Sequence, residues 1–438
     1  MNRTLVSETI NKTGETAKVS GWVHVRRDHG KIIFIDLRDR SGLLQCVITP
    51  ETKDYAEFKK IRPQSVVEIS GEVKNRPEKL VNPELATGKV ELDVKEFRVL
   101  SVAEELPVDI SAEDMNLHLE TLLDYRNLTI RNEKVGAIFK VYDEVLKSYA
   151  DFLRERGFFE IKTPKILSGA TEGGANFFKI KYFDREAYLA QSPQFFKQAG
   201  VGALERVFEI GSVFRAEPHF TSRHVNEFVG LDAEMGFIDG PEDVMDELEE
   251  TMKYILAEVK KNCKKELEIY SAGIDIPKKI PRIKLSEAVE ILEKEFGKVV
   301  EGIDIDPEGE RLICEWAKKN HESDFVFLTN YPWDIRPMYI MPDPKNPKKT
   351  FGFDLLYRGV ELASGGQRIH DHDQLVENMK KKKLNPEDFE HYLQIFKFGM
   401  PPHGGWGLGS ERIVQKILGL KSVKEAILFP RDVKRLTP

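Results

Sequence analysis

The sequence predicts an α+β protein in two parts, a small β-barrel followed by an antiparallel sheet with flanking helices. Three observations support this fold class: short alternating segments within 17–100, a strongly periodic helix at 135–156, and later strand-like segments that meet at turns. Strands joined by turns indicate an antiparallel sheet, whereas a doubly wound fold would alternate strands and helices regularly. The chain has 438 residues, enough for roughly two to four domains.

The first domain is expected at 1–103, with a polar connector at 104–130. Its five predicted strands are AKVSGWVHV, KIIFIDLRD, GLLQCVIT, SVVEISGEV and VELDVKEFRVLS. The breaks DHGK, RSG and NPELATGK have turn composition, and 53–61, between the third and fourth strands, has helical character. Five strands with one short helix have the size and order of an OB-type barrel. Another small β-barrel is the alternative.

The second domain is expected at 131–438 and begins with the periodic helix. Five apolar side chains form one stripe along it: Ile138, Val141, Val145, Tyr149 and Phe152. Gly157 supplies a C-terminal stop, and the following FFEIKTPKIL is predicted to be extended.

Further strands are predicted in this domain at FFKIKYF, EAYLAQS, RVFEIGSVFRAE, EFVGLDAEMGFI and TFGFDLLYRGVELASGG. The region 240–345 interrupts them and is interpreted as a helical insertion, with helices at 241–261 and 284–296 and one strand at 324–328. Two more helices, at 386–398 and 409–418, are expected before the basic tail ILFPRDVKRLTP.

Net charge argues against one class of function. The chain carries −7 at neutral pH with a pI near 5.9, which excludes a histone-like or polybasic protein. The charge is uneven, because residues 1–105 hold 18 Lys and Arg against 17 Asp and Glu, whereas the remainder holds 48 against 56. The N-terminal part is therefore the better candidate partner for a polyanion.

The three cysteines, Cys46, Cys263 and Cys314, are too few and too scattered for a disulfide framework or a structural zinc site. A reducing environment fits them. No window is apolar enough for a membrane span, and the N-terminus lacks the apolar core of a signal peptide. We expect a cytoplasmic protein.

The first segment with chemical potential is VFRAEPHFTSRHVNEFVGLDAEM. Arg215 and Glu217 lie at a predicted strand edge, and Arg223 and His224 follow in a loop. Arginines separated by a turn can bind phosphate oxygens, and a nearby carboxylate can accept from an adenine amino group. A charged hairpin with surface salt bridges is an equally good interpretation of these residues alone.

The second segment is GGWGLGSERIV, in which several glycines precede a predicted helix. Small residues allow close backbone approach to a planar ligand, and Arg412 lies in the first turn of that helix. The segment matches neither of the two commonest nucleotide-binding loops, GxxxxGK[ST] and GxGxxG.

The third segment is GFDLLYRGVELASGGQRIHDHD. Asp354 and Glu361 are hard oxygen ligands suited to Mg²⁺, and the Arg368 guanidinium suits a carboxylate. The tetrapeptide HDHD at 370–373 is a weak metal candidate because it lacks the i, i+4 spacing of helical ligands.

In order, the helix ending at FFEIKTPKI, the FRAE…RH segment and the GLGSER segment resemble the three signature motifs of class II aminoacyl-tRNA synthetases. An N-terminal OB barrel before that core is similar to the subgroup for aspartate, asparagine and lysine. The strings ATEGGANFF, YLAQSPQFFKQ, RHVNEFVGLDAEM, ELASGGQRIHDHDQL and GMPPHGGWGLGSER resemble the short, archaeal-like aspartyl-tRNA synthetase family. The resemblance covers essentially the whole chain.

The resemblance implies roles for individual residues. Aspartate would be bound by Glu172, Gln194, Lys197, Arg215, Asp232, Ser364 and Arg368. ATP would be bound by Arg215, Ala216, Glu217, Arg223, His224, Val225, Glu361, Gly409, Ser410, Glu411 and Arg412. Arg215 and Arg412 would be the catalytic residues, and Mg²⁺ would be held by Glu361, Ser364 and Asp354.

The implied reaction needs no protein nucleophile. The aspartate carboxylate attacks the α-phosphorus of ATP in line, which gives aspartyl-adenylate and pyrophosphate. A terminal ribose hydroxyl of tRNA then takes the aspartyl group. Positioning and charge neutralisation by two arginines and Mg²⁺ would supply the catalysis.

The barrel has its own chemistry. Phe34 and Gln45 lie on neighbouring strands, and aromatic stacking with amide hydrogen bonding is how OB faces read splayed bases. By resemblance, six barrel residues contact the anticodon of tRNA: His24, Arg26, Arg27, Phe34, Gln45 and Pro83. A core position for Phe34 is the alternative, although Ile33 and Ile35 face the other way.

His24 stands where members specific for tRNA(Asp) tend to carry a bulky Trp, and the connector with Pro83 differs from their shorter, lysine-bearing loop. The resemblance therefore implies a relaxed enzyme, a homodimer, that charges tRNA(Asp) and tRNA(Asn) with aspartate. The alternatives are a strictly tRNA(Asp)-specific form, an asparaginyl-tRNA synthetase, and an RNA-binding regulator with an inactive core.

Overall fold

A computed structural model describes residues 2–169, 176–218, 221 and 223–438. The chain divides into two compact units, Met1–Asn116 and Leu117–Pro438. The division falls inside the connector expected at 104–130. Within the described residues, no helix has the length and apolar composition needed to cross a membrane.

The first unit is a closed five-stranded barrel, which confirms the predicted OB-type fold. In chain order its elements are β1 (Thr16–His29), β2 (Ile32–Asp39), β3 (Gly42–Ile48), α1 (Tyr55–Phe58), β4 (Val66–Asn75) and β5 (Val90–Ser101). The strands pair in the order β1-β2-β3-β5-β4. The pairing of β3 with β5 is parallel, and the other pairings are antiparallel.

Alternation along each strand produces the barrel core. On β2, Ile33, Ile35 and Leu37 are fully buried, and the residues between them are only half-buried. Because successive side chains point to opposite faces of a strand, the residues between the buried ones lie on the outer surface of the barrel. Phe34 lies on that outer face and does not belong to the buried core of the barrel.

The second unit combines a large sheet with helices. Its strands are β6 (Phe159–Glu160), β7 (Ile166–Leu167), β8 (Lys179–Tyr182), β9 (Arg185–Leu189), β10 (Arg206–Phe214), β11 (Glu227–Gly236), β12 (Arg282–Lys284), β13 (Phe325–Thr329), β14 (Pro342–Asp343), β15 (Asn346–Thr350), β16 (Gly352–Tyr357), β17 (Val360–Gln367) and β18 (His403–Gly409). Its helices are α2 (Leu119–Asp124), α3 (Arg126–Thr129), α4 (Glu133–Glu155), α5 (Gln194–Leu204), α6 (Pro241–Asn262), α7 (Lys264–Ile269), α8 (Leu285–Phe296), α9 (Pro307–His321), α10 (His372–Lys381), α11 (Glu390–Lys397) and α12 (Ser410–Leu418).

The large sheet has the order β12-β13-β16-β17-β18-β11-β10-β6. Its inner pairings are antiparallel, as expected, and only the pairings at its two ends are parallel. The region 240–345 is not purely helical, because it contributes β12 and β13 to this sheet. The segment FFEIKTPKIL is not one strand either: β6 joins the large sheet, and β7 joins a separate sheet with β8 and β9.

Helices α4, α6 and α12 pack on one face of the large sheet. Val141, Val145 and Tyr149 of α4 are fully buried against sheet residues that include Phe208 and Trp406. Gly157 ends α4 as expected, with φ of +81°. The opposite face of β10, β11, β17 and β18 is left for a pocket.

Candidate active site

The pocket is a cleft of about 220 Å³ above β10, β11, β17 and β18, beside the first turns of α5 and α12. Fourteen residues predicted from the sequence line it: Gln194, Lys197, Arg215, Glu217, Arg223, His224, Val225, Asp232, Glu361, Ser364, Arg368, Gly409, Glu411 and Arg412. Ala216, Ser410 and Asp354, which were also predicted, are not among the lining residues. Glu172 lies outside the described residues, so its predicted role stays a prediction.

Two cations and two carboxylates are buried together at the inner end of the pocket. The Lys197 ammonium donates to Asp232 Oδ1 at 3.0 Å and to the Trp406 carbonyl at 2.8 Å. Arg368 donates through Nε to Glu234 Oε1 at 2.8 Å and through Nη2 to the Gly405 carbonyl at 2.9 Å. Lys197 also lies 3.4 Å from Glu234 Oε2, so the four charges form one network.

Burial and charge act in opposite directions on the two carboxylates. Burial raises the pKa of Asp232, against the attraction of Lys197. Burial alone would also raise the pKa of Glu234, but Arg368 and Lys197 outweigh it and hold that pKa below its usual range. Glu234 is therefore ionised at neutral pH.

The register of β11 explains why both acids face the pocket. Leu231 and Ala233 point into the core. Because side chains alternate along a strand, Asp232 and Glu234 point to the opposite face of the sheet. A β-carbon at Gly405 would overlap the Glu234 carboxylate, so the glycine makes room for the network. Glu234 was not predicted from the sequence. The signal that could have identified it is the pair of acids two residues apart on one strand, in the string LDAEM.

Gln194, the first residue of α5, presents an unused donor. Its Nε2 is buried and has no hydrogen-bond partner among the described residues. A buried donor without an acceptor is costly, and such atoms often mark a ligand position. An oxygen of a carboxylate would satisfy it.

Arg215 and its neighbours form the outer wall. The Arg215 guanidinium lies 5.4 Å from the centroid of the Phe228 ring and 3.8 Å from Glu217 Oε1. The side chain of Asn226 donates to the backbone carbonyls of Arg215 and Glu217, which fixes the strand end. Nearby, His224 Nε2 lies 3.5 Å from Glu217 Oε2. Arg215 is exposed to the cleft and available to a ligand.

The first turn of α12 both lines the pocket and anchors the helix. Arg412 lines the pocket and donates through Nη1 to the Glu361 carbonyl at 2.7 Å. Glu411 also lines the pocket, and together with Ser410 it joins a buried network with Tyr142 and the backbone of Val229. Burial raises the pKa of Glu411. These contacts hold the helix against α4 and β11, and the ATP contact expected of Ser410 and Glu411 stays a prediction.

The expected magnesium set is split. Asp354 is occupied by a bidentate ion pair with Arg336, at 2.9 and 2.7 Å, and the same guanidinium donates to Ser364 Oγ at 2.9 Å. Asp354 is not among the residues that line the pocket, and its expected role as a metal ligand stays a prediction. Glu361 does line the pocket, and burial and then the charge of Asp354 raise the pKa of its carboxyl. A cation beside Glu361 and Ser364 would relieve this cost, so these two oxygen donors fit Mg²⁺ bound jointly with phosphates.

The HDHD tetrapeptide has local structural contacts. Asp371 caps α10 by accepting from the backbone N–H of Gln374, and His372 contacts the neighbouring Asp373. Among the residues that the structure describes, His, Cys, Asp and Glu side chains form no group of three that could hold a metal ion.

Sequence reasoning missed several residues of the pocket. Arg336 and Tyr339 line it from a stretch that looked like part of the insertion. Tyr339 lies 5.5 Å below the guanidinium of Arg368, and Arg336 stacks 3.7 Å from the Tyr331 ring. Glu310, on α9, does not line the pocket, but it binds Arg223, which does. Nothing local in the sequence marks these positions, since their partners are distant along the chain.

The barrel carries a polar surface on β1, β2 and β3. Arg27 pairs with Asp36 at 2.8 and 3.0 Å, and Gln45 Nε2 donates to Glu91 at 2.9 Å. Phe34 lies opposite Arg27 in the β1–β2 register, so the aromatic ring and these polar groups share the outer face. This surface combines an accessible ring with hydrogen-bonding side chains.

The other barrel residues have different surroundings. His24 sits at an irregularity in the β1–β2 pairing and is half-buried. Pro83 is exposed in the β4–β5 connection. Arg26 turns away from Arg27 and donates to the carbonyls of Lys59 and Ile61, both at 2.7 Å, which ties β1 to the end of α1.

Comparison with known proteins agrees with this architecture. Residues 118–433 match the family described as class II tRNA synthetases (D, K and N), and residues 17–100 match the OB-fold nucleic acid binding domain family. The chain is 46% identical to the aspartate–tRNA(Asp/Asn) ligase of Deinococcus radiodurans, over 100% of this chain and 99% of the relative. It is 44% identical to the aspartate–tRNA(Asp) ligase of Pyrococcus abyssi, over 99% and 98%. The crystal structure of asparaginyl-tRNA synthetase from Pyrococcus horikoshii complexed with asparaginyl-adenylate superposes with a TM-score of 0.90 and 33% identity, covering 100% of both chains.

Proposed function

The chain belongs to the class II tRNA synthetases for aspartate, lysine and asparagine, and we propose that it is an aspartate–tRNA ligase that serves both tRNA(Asp) and tRNA(Asn). It activates L-aspartate with ATP and transfers the aspartyl group to the tRNA. The observation that carries the choice of aspartate is the buried pair of cations, Lys197 and Arg368, at the inner end of the pocket.

The side-chain carboxylate of aspartate is the ligand that these cations select. Lys197 and Arg368 only donate hydrogen bonds, so both oxygens of the aspartate side-chain carboxylate can accept from them. The amide of asparagine would turn an N–H toward a cation and leave a buried donor unpaired, which costs several kcal/mol. Asp232 and Glu234 hold the two cations in place before the substrate arrives, so little reorganisation is needed on binding.

Activation proceeds by positioning. The α-carboxylate of aspartate lies between Arg215 and the Gln194 amide donor, and it attacks the α-phosphorus of ATP in line. The bond to pyrophosphate breaks as the acyl-phosphate bond forms, and Arg215 and Arg412 neutralise charge on the phosphate oxygens. The terminal ribose hydroxyl of tRNA then displaces AMP from the aspartyl-adenylate. No side chain has to form a covalent intermediate.

Glu361 and Ser364 are the residues that would hold Mg²⁺. When bound, the ion supplies charge neutralisation at the phosphate oxygens. Glu361 carries its charge at a cost imposed by burial and by Asp354, so its carboxylate favours a cation. Arg336 keeps Asp354 engaged, which leaves Glu361 as the carboxylate that faces the nucleotide.

The outer face of the barrel reads the anticodon. Phe34 would stack a splayed base, and Gln45 and Arg27 would hydrogen-bond to bases or backbone. His24 and Pro83 take the positions where a bulky Trp and a lysine-bearing loop restrict related enzymes to tRNA(Asp). The smaller contact surface supports acceptance of the tRNA(Asn) anticodon as well.

The active form is a homodimer in the cytoplasm. Phe159 on β6 and Ile166 on β7, which follow α4, are large apolar residues with 59% and 49% of their surface exposed. Exposed apolar surface of this kind favours burial against a second copy of the chain. Light scattering should give twice the monomer mass, and a monomer mass at micromolar concentration would contradict the dimer.

The three free, buried cysteines fit a reducing compartment.

Two measurements test the assignment. ATP–pyrophosphate exchange should depend on aspartate and be weak with asparagine or lysine at the same concentration. Charging assays with tRNA(Asp) and tRNA(Asn) transcripts should both yield aspartyl-tRNA. Exchange that prefers asparagine would overturn the substrate assignment, and charging of tRNA(Asp) alone would overturn the relaxed specificity while leaving the enzyme class intact.

A further inference from the structure

Arg223 is linked to a helix outside the pocket walls. Its Nη1 donates to Glu310 Oε2 at 3.0 Å, and its Nη2 donates to the Gly359 carbonyl at 3.1 Å. Glu310 belongs to α9, which lies 87 residues further along the chain, in the region 240–345. Two bonds from different nitrogens fix the plane of the guanidinium, because a single bond would leave it free to rotate.

The β16–β17 turn, which contains Gly359, packs closely against α9. Gly359 has φ of +79°, and a β-carbon there would lie 3.1 Å from the Arg311 Cα of α9. The neighbouring Arg358 binds Asp324 and the Lys416 carbonyl, which fastens the β16–β17 turn between α9 and α12. The Gly359 carbonyl and the Glu310 carboxylate therefore both belong to closely packed elements, and Arg223 binds both.

Four of the five arginines that line the pocket have a negative partner. Arg336 is paired with Asp354, Arg368 with Glu234 and Arg223 with Glu310, and Arg215 lies near Glu217. Arg412 instead donates to the backbone carbonyl of Glu361. Without such partners, like-charged guanidinium groups in one cleft repel one another. Glu310 is the partner that comes from outside the signature segments. Its side chain keeps only 18% of its surface exposed.

We propose that Glu310 is a positioning residue for ATP, which holds the Arg223 guanidinium so that its unused N–H groups bind the phosphates. A guanidinium has five N–H donors, and the two bonds described leave about three for a ligand. The inference rests on the proposed function in that Arg223 meets nucleotide. It goes beyond it by giving α9 a role in nucleotide binding.

The test separates positioning from stability. Glu310→Ala, Glu310→Gln and Arg223→Ala are compared with Glu308→Ala, which removes an exposed acid from the same helical turn that pairs with Lys298 and not with Arg223. In pyrophosphate exchange, Glu310→Ala should raise the KM for ATP about tenfold, the loss expected for a charge-assisted hydrogen bond. The KM for aspartate should stay within about twofold. Glu310→Gln keeps an acceptor oxygen and should show a smaller rise.

The double variant identifies the route. Because Glu310 acts through Arg223, adding Glu310→Ala to Arg223→Ala should raise the KM for ATP no further than Arg223→Ala alone. Additive effects would overturn the proposal, as would equal changes in both KM values, or no change in Glu310→Ala. A thermal midpoint in Glu310→Gln that is no lower than that of wild type, together with a raised KM for ATP, supports it.

A second readout keeps this inference apart from the proposed function. The Kd of ATP, measured by calorimetry without amino acid or tRNA, should rise about tenfold in Glu310→Ala and stay at the wild-type value in Glu308→Ala. If wild-type protein lacks aspartate-dependent exchange but binds ATP, the aspartate assignment fails while the role of Glu310 is still decided by this Kd. An equal Kd in wild type and Glu310→Ala would overturn the inference.

Discussion

The two units hold their charged groups in opposite ways. On the barrel, Arg27 and Asp36 form an exposed pair, with 43% of the arginine side chain accessible. In the pocket, Lys197, Glu234 and Arg368 have side chains that are at most 3% exposed. An exposed pair contributes little and exchanges readily for a phosphate, whereas a buried pair is expensive to alter. Under the proposed function, contacts of the barrel with RNA can therefore vary, while contacts of the pocket with the amino acid are fixed.

The largest effect is expected where the buried network is broken. Arg368→Leu should lower aspartate-dependent exchange by on the order of 10³-fold or more, because the substrate loses a buried donor and a charge. It should also lower the free energy of unfolding by about 3–5 kcal/mol, since Glu234 is left buried without its partner. Exchange kinetics and urea denaturation measure the two losses.

A paired substitution sharpens this result. Glu234→Gln combined with Arg368→Leu should recover much of the lost stability without recovering activity, because it removes the unpaired charge and not the missing donor. A single Arg368→Leu variant as stable as wild type would show that Glu234 is not ionised, and the contrast between rigid pocket and adaptable barrel would weaken.

A second effect concerns pH and lies at the edge of the pocket. Burial, followed by the charge of Glu361, raises the pKa of Glu310 to about 7, against the attraction of Arg223 and Arg412. A raised carboxyl pKa stabilises the fold below the unfolded value of 4.5, and this contribution is lost as pH rises to about 7. Glu310→Gln removes that loss. The stability of the variant relative to wild type should therefore rise by about 2 kcal/mol between pH 5 and pH 8.

Denaturation curves of wild type and Glu310→Gln across that pH interval provide the measurement. Glu308→Gln is the matched control and should show a pH-independent difference. If the stability difference between Glu310→Gln and wild type is also independent of pH, the Glu310 carboxylate titrates like an exposed one. Glu310 would then belong with the exposed charged groups and not with the buried ones.

On the barrel, Phe34→Ala should reduce the rate of tRNA charging and leave pyrophosphate exchange at the wild-type level. Loss of one stacked base corresponds to about 1–2 kcal/mol, or roughly a tenfold fall in kcat/KM for tRNA. Leu100→Ala, which shortens an exposed apolar side chain near the end of β5, is the control. If exchange falls together with charging, the barrel surface and the pocket do not act independently.

The smallest effect is expected from the exposed pair. Arg27→Gln should weaken tRNA binding by about twofold to threefold at moderate salt and lower the slope of log K against log salt by about one. Filter binding over a range of salt concentrations measures both. A loss as large as that of Arg368→Leu would remove the distinction between the two surfaces.

Parts of the fold followed directly from local pattern. Alternation of apolar residues located the five barrel strands, and the stripe with Gly157 located α4 and its end. Pattern failed where a short apolar run was divided between sheets, as in FFEIKTPKIL. It located β13, at the strand expected at 324–328, but it failed at β12, which a helix-rich context concealed. Strand membership depends on partners distant along the chain, and periodicity carries no information about them.

The sequence by itself determined the pocket's main donors, because their types and order are specific: Lys197, Arg215, Arg368 and Arg412 all line the cleft. Only the tertiary structure decided what those cations are balanced against. Glu234 binds Arg368 from 134 residues away, Arg336 pairs with Asp354, and Glu310 binds Arg223 from α9. The physical reason is that a buried charge is defined by its neighbours in space, and burial multiplies the strength of each contact.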